Sequence, residues 1–172
     1  EVFNPGWTDY NKRVQDKVDD VAALLQQGEN VIGAMLGAGW AVGHLFFEHR
    51  QQYVDRPRLL AQLEVTLADG QNITVATDTS WKYQFGPILS SDMLMGEDYD
   101  ARLEMPGWDA PKFDDSGWYP AKQFDDTGVA IVATNGPTVK RIQELKPISD
   151  PVDKRSFTAP RMVFDLGQNM VG

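Results

Sequence analysis

The chain has 172 residues, 42% of them hydrophobic and 24% charged, so a buried core is expected and global disorder is not. Its 16 Lys+Arg against 25 Asp+Glu give a formal net charge of −9, which repels phosphate backbones and anionic lipid and argues against nucleic acid and membrane surfaces as partners. Cysteine is absent, which removes disulfides, thiolate metal sites and a cysteine nucleophile and leaves the redox compartment open.

In chain order, Asp19 or Asp20 is placed to cap a short helix over Val21–Gln26, and Gly28 to end it. Val31–Leu36 is a near-continuous apolar run and predicts a strand buried on both faces. Leu59–Asp78 is the clearest unit. Leu63, Val65 and Leu67 alternate with polar residues, as do Ile73 and Val75, and Asp69-Gly70 lies between the two runs, so a β-hairpin is predicted. A two-residue loop would pair Leu67 with Asn72 and put the apolar sets on opposite faces. A three-residue loop, Ala68-Asp69-Gly70, pairs Val65 with Ile73 and Leu63 with Val75 and gives Gly70 the left-handed position. Phe85–Pro111 holds few alternating apolar residues and reads as mostly loop with short extended pieces. Val129–Ala133, Thr138–Ile142 and Met162–Leu166 are further strands. Ser149–Pro160, with two prolines and mixed charge, reads as a linker. Turn signals recurring between short strands indicate an all-β fold, an antiparallel β-sandwich or jelly roll with at most one or two short helices.

No apolar stretch is long enough to span a membrane. The chain opens at Glu1 without an initiator Met and stops just after a strand-like run, the pattern of an excised fragment.

The sequence carries no Gly-rich phosphate loop, His-x-x-x-His pair or Gly-x-Ser-x-Gly elbow. His44 and His49 are five apart in an aromatic segment with no third ligand or nucleophile spaced with them; a structural or exposed role and a metal or general-base role both remain open. Asp92, Glu97, Asp98 and Asp100 fall within nine residues. Such a run is a solvated loop unless the fold brings two carboxylates to either side of one bond. Trp7, Trp40, Trp81, Trp108 and Trp118 each sit beside turn residues. There an indole can pack on the sandwich or offer a flat face to the C–H side of a sugar ring. If a sugar is bound, the expected site is Trp40, after a Gly-rich loop, with acceptors from Asp92, Glu97 or Asp98.

An ordered set of segments carries a resemblance: Asn4-Pro5-Gly6-Trp7-Thr8-Asp9-Tyr10, Gly39-Trp40, Leu59–Leu67 with Ala68-Asp69-Gly70, and Asp78-Thr79-Ser80-Trp81-Lys82. Gly86–Asp92, Gly96–Arg102, Pro106-Gly107-Trp108-Asp109, Phe113–Trp118, Glu144–Pro147 and Val163–Gly172 follow. Together they resemble the N-terminal β-sandwich region of bacterial α-L-rhamnosidases, glycoside hydrolase family 78, over essentially the whole chain. The resemblance implies a parent enzyme that removes terminal α-L-rhamnose with inversion. Its acid and base would lie in an (α/α)6 barrel C-terminal to Gly172, so this chain should carry neither and be inactive alone. It also implies a jelly-roll accessory domain over 1–149 without its opening strands, a linker over 150–161, and the first strand of the next β-domain over 162–172. The implied partners are the other domains of its own polypeptide and L-rhamnose-containing glycans. Some related jelly rolls are family 67 carbohydrate-binding modules, which hold rhamnose through a calcium ion ligated by an Asp/Asn pair before a Trp. The matching loop, Gly37–Trp40, has Ala38-Gly39 there. That offers no side-chain oxygen, so no cofactor is expected and any sugar binding should be independent of calcium. Calcium at the oxygen-rich run from Asp92 to Asp100 is the alternative left open, although its spacing is not that of an EF-hand loop.

Overall fold

A computed structural model describes residues 5–47, 49–125, 127–137, 139–154 and 161–169. The chain divides into two compact units, one spanning Asn4–Asn135 and a smaller one that includes Gly136–Gly172.

The larger unit contains strands β1 (Arg13–Asp16), β2 (Gln62–Thr66), β3 (Asn72–Ala76), β4 (Lys82–Tyr83), β5 (Ile88–Asp92), β6 (Gly96–Tyr99), β7 (Tyr119–Pro120) and β8 (Ala130–Ala133). Helical structure among the described residues is one α-helical turn, α1 (Gly39–Val42), and the 3-10 turns Ala22–Leu24 and Ala101–Leu103. The chain is therefore all-β. Its strands pair in twos: β2 with β3, β4 with β7 and β5 with β6 antiparallel, and β1 with β8 parallel. The parallel pair departs from the antiparallel expectation, because Arg13–Asp16 lies beside a strand from the far end of the unit rather than beside a hairpin neighbour.

The hairpin forms in the expected register, with Val65 opposite Ile73 and Leu63 opposite Val75. The Leu67 N–H donates to the Gln71 carbonyl at 2.8 Å and closes the loop over Ala68-Asp69-Gly70, with Gly70 at φ +85°. A Cβ there meets nothing within 4 Å, so any cost of a side chain comes from the backbone alone. Gly70→Ala is expected to weaken the β2–β3 ladder by about 1 kcal/mol, seen as roughly fivefold faster exchange of its amides. Unchanged exchange would show that the turn tolerates another conformation.

Three expectations are corrected. The helix over Val21–Gln26 shrinks to the 3-10 turn at Ala22–Leu24, although Asp20 Oδ1 does accept from the Ala22 N–H at 2.9 Å. Three residues are too few to bury a face, and Leu24 is exposed. Val31–Leu36 forms no strand, and Val31, Ile32, Met35 and Leu36 are exposed, because no second strand lies beside the run within the described residues. Phe85–Pro111 is mostly loop with short extended pieces, as expected; what was not read is that the pieces pair as the β5–β6 hairpin, with a register shift at Ile88/Ser90. Ser90, Ser91, Asp92, Glu97 and Asp98 gave it no apolar alternation to read. Of Thr138–Ile142, Thr138 lies outside the described residues and 139–142 form no strand, with Val139 and Ile142 exposed.

In the smaller unit, β9 (Val152–Asp153) pairs antiparallel with β10 (Met162–Val163), and the Ile148 N–H donates to the Asp165 carbonyl at 2.8 Å. Val129–Ala133 and Met162–Leu166 thus contain strands shorter than expected. No described helix is long and apolar enough to cross a membrane.

Burial is sparse. Among the described residues only Thr8, Val42 and Gly43 are buried. The accessible surface is 14570 Å², where a chain of this size folded compactly as one or two bodies would expose roughly 8,000–10,000 Å². The apolar face of the β2–β3 hairpin illustrates the excess, with Ile73 at 45% and Val75 at 41% exposure.

Candidate functional site

A polar cluster centred on Asp92 begins at the end of α1. The Gly43 N–H donates to the Gly39 carbonyl and closes the helical turn. The chain then reverses through Phe46, at φ +53°, and returns so that Arg50 bridges back to His44. Opposite this loop, β5 ends at Asp92 and β6 starts at Gly96, whose φ of +86° permits the tight turn. A Cβ at Gly43 would stand 2.8 Å from Asp92 Oδ2 and 2.4 Å from the Gly39 carbonyl, so glycine is what lets the loop and the hairpin meet.

Asp92 is the junction. Its side chain is 7% exposed. Oδ2 accepts from the His44 N–H at 2.8 Å and lies 2.8 Å from His44 Nδ1. Oδ1 accepts from the Leu94 and Met95 N–H groups at 2.9 and 3.1 Å. Burial opposes the charge on Asp92. The Leu94 N–H, the His44 ring and the His44 and Met95 N–H groups outweigh it and hold the carboxyl far below the usual carboxylate range. An ionised carboxylate only accepts, so Nδ1 of His44 carries the proton and Nε2 is the ring's open edge.

Beside this junction lies a cleft of about 140 Å³ lined by His44, Arg50, Ser90, Ser91, Asp92, Met95, Gly96, Glu97 and Asp98. Ser90 Oγ donates to Asp98 Oδ2 at 2.8 Å, across the β5–β6 ladder. The Ser90 hydroxyl is thus turned to a carboxylate rather than to the imidazole, and the His–Asp pair has no serine nucleophile bonded to it. What the cleft offers is a mixed set of donors and acceptors at close quarters.

The fold brings Asp92, Glu97 and Asp98 together as lining residues. Trp40, in α1, is half-buried and is not part of the lining. The other four tryptophans are also elsewhere: Trp7 is exposed, Trp81 Nε1 donates to the Ala76 carbonyl at 3.1 Å, Trp118 packs edge-on against Phe113, and Trp108 lies against Gly33. His44 and Arg50 were missed as members of the site. His44 meets Asp92 across 48 residues of sequence, and no local spacing announces such a pair.

The calcium ligation of the related modules does not fit these residues. Ala38 has helical φ and ψ as the N-cap of α1 and no side-chain oxygen. Both Asp92 oxygens already receive hydrogen bonds. Among the described residues no three His, Asp or Glu side chains are grouped to hold a metal ion.

A family model described as alpha-L-rhamnosidase N-terminal domain matches residues 1–143. An alpha-L-rhamnosidase of Streptomyces avermitilis is 42% identical over 172 residues, which cover 98% of this chain and 16% of that protein. One from Formosa agariphila is 37% identical over 177 residues, covering 100% of this chain and 18% of that protein. The crystal structure of the Streptomyces avermitilis enzyme complexed with L-rhamnose superposes with a TM-score of 0.74 and 39% identity, over 87% of this chain and 14% of that one. Native alpha-L-rhamnosidase from Aspergillus terreus superposes with a TM-score of 0.76 and 31% identity, over 97% of this chain and 19% of that one. The chain therefore spans less than a fifth of the length of these relatives.

Proposed function

The chain belongs to the alpha-L-rhamnosidase N-terminal domain family, and from that premise we propose that it is a non-catalytic accessory domain of an α-L-rhamnosidase. It packs on and supports the catalytic region of its own polypeptide. The observation that carries this reading is the surface: most large apolar side chains are exposed, including Phe47, Phe85, Leu60 and Val75. A fold with so little burial of its own needs a neighbour to cover it. The parent polypeptide hydrolyses terminal α-L-rhamnosides, in a barrel outside this chain. The jelly-roll part runs over 1–149, the passage to the next domain lies in 150–161, and the next β-domain starts with 162–172. The β9–β10 ladder ties that passage to the new strand.

The purified chain is expected to release no aglycone from an aryl α-L-rhamnoside that the parent enzyme turns over. Turnover by the chain alone, abolished by Asp92→Ala, would overturn the non-catalytic assignment.

The polar cleft favours a second reading, a carbohydrate-binding module for rhamnose-containing glycans. His44, Arg50, Ser90, Glu97 and Asp98 converge on one concave surface, the arrangement that fixes a polar ligand's orientation.

A further inference from the structure

We propose that Asn135 is a site of spontaneous covalent modification, at which the backbone nitrogen of Gly136 closes a succinimide ring on the side-chain amide and water opens the ring to aspartate or isoaspartate.

The reaction needs an uncommitted backbone N–H after the asparagine and room for the side chain to fold onto it. Asn135 is the one asparagine of six that glycine follows. Both residues are exposed and outside any strand, and a Cβ at Gly136 would meet nothing within 4 Å. Among the described residues no hydrogen-bond partner holds the Asn135 amide or the Gly136 N–H. Without a Cβ, Gly136 moves through φ and ψ freely, so its nitrogen reaches Cγ of Asn135 at little cost. Elsewhere one of these conditions fails. Pro5, after Asn4, has no N–H. The Lys12 N–H, after Asn11, donates to the Asp9 carbonyl at 2.8 Å. Asn30 and Asn72 precede β-branched Val31 and Ile73, and their side chains are engaged. Asn30 Nδ2 donates to the Gln26 carbonyl at 2.8 Å, and Asn72 Oδ1 accepts from the Thr66 hydroxyl at 2.8 Å. Asn169 precedes the bulkier Met170.

The Gly136 nitrogen loses its proton to hydroxide and attacks Cγ of Asn135. The N–Cγ bond forms, the Cγ–Nδ2 bond breaks, and ammonia leaves with a proton taken from water. A second water then adds to the imide. Breaking the N–Cγ bond gives aspartate in an unaltered backbone. Breaking the bond from that nitrogen to the main-chain carbonyl carbon gives isoaspartate, in which the chain runs through Cβ and Cγ. Either product adds one negative charge to a chain already at −9. Isoaspartate also inserts a methylene into the chain directly after Thr134. The Thr134 N–H and hydroxyl both donate to the Asp16 carbonyl, at the end of the β1–β8 ladder. Pro137 follows and has no N–H with which to rebuild a bond there.

The test is incubation of the full-length polypeptide at a series of alkaline pH values, read by peptide mass spectrometry and by hydroxylamine cleavage. The expected result is deamidation at Asn135 roughly tenfold faster than at Asn11 or Asn72, because only glycine leaves the nitrogen unhindered. The rate should rise with pH, isoaspartate should be among the products, and hydroxylamine should cut the chain between residues 135 and 136. Gly136→Ala should slow the reaction by roughly tenfold, and Asn135→Gln should abolish it. Both positions are exposed, so neither variant removes packing. The folded protein should react as fast as the same protein in urea. A rate at Asn135 no higher than at Asn11, aspartate without isoaspartate, or strong slowing relative to urea overturns the inference.

Discussion

Asp92→Ala will let the amide hydrogens of His44, Leu94 and Met95 exchange about a hundredfold faster than in the unaltered protein. Those three N–H groups donate to one carboxylate whose side chain is 7% exposed. Removing the acceptor leaves the His44 N–H unpaired at a part-buried position and hands the Leu94 and Met95 N–H groups, in an exposed turn, to water. A hydrogen bond to a charged acceptor contributes about 1.5–3 kcal/mol, with the upper end applying to the part-buried His44 group. The local opening energy should therefore fall by about 3 kcal/mol, which is the hundredfold change, since every 1.4 kcal/mol is tenfold. The effect has a pH signature. The folded-state carboxyl is held below its unfolded value, so its stabilisation is fully present above the unfolded pKa, about 4, and is lost as pH falls through the folded value. The difference between the unaltered protein and Asp92→Asn should be constant from pH 7 to pH 5 and shrink below pH 4. Amide exchange read by mass spectrometry at several pH values checks both parts. A difference that grows on acidification would show that Asp92 is not bound as a carboxylate.

What could be read in the sequence divides along physical lines. The β2–β3 hairpin was legible to the residue because two signals agreed: period-two alternation fixed which residues share a face, and Gly70 fixed the loop length. The β5–β6 hairpin was not, because its inward side faces a polar cleft. Serines and carboxylates take the places that apolar residues would mark. The same cause hid the site. Asp92, Glu97 and Asp98 could be grouped because they are close in sequence, but the fold selects His44 and Arg50 as their companions and not Trp40. That choice depends on Gly43, where the absence of a Cβ allows Asp92 to reach the loop, and nothing in the local pattern of Ala41–His44 shows which carboxylate arrives. Val31–Leu36 fails for a different reason. Its composition reports a doubly covered strand, while the described residues supply no cover.

That mismatch leads to the other large effect. Expressed by itself, the chain will associate and bind an apolar dye such as ANS strongly, while the full-length polypeptide will do neither. Its ladders are all two-stranded among the described residues, and a two-stranded pair is marginal in water unless a third strand or a packed face supports it. Both edges of the β2–β3 hairpin remain unpaired in backbone ladders, and its Leu63, Val65, Ile73 and Val75 side is only half-covered. Unpaired edges next to an apolar face recruit other chains by the same hydrogen bonds that build a sheet. The net charge of −9 opposes this, but its range is a Debye length of about 8 Å at physiological salt, so it slows encounter more than it weakens a formed contact. Raising the salt should therefore increase association. Lysine in place of Ile73 and Val75 should reduce it, by putting charge on the face that joins. Light scattering and dye fluorescence at rising concentration provide the measurement. A monodisperse monomer that binds no dye at high concentration and high salt would mean that the exposed apolar side chains find cover within the chain itself.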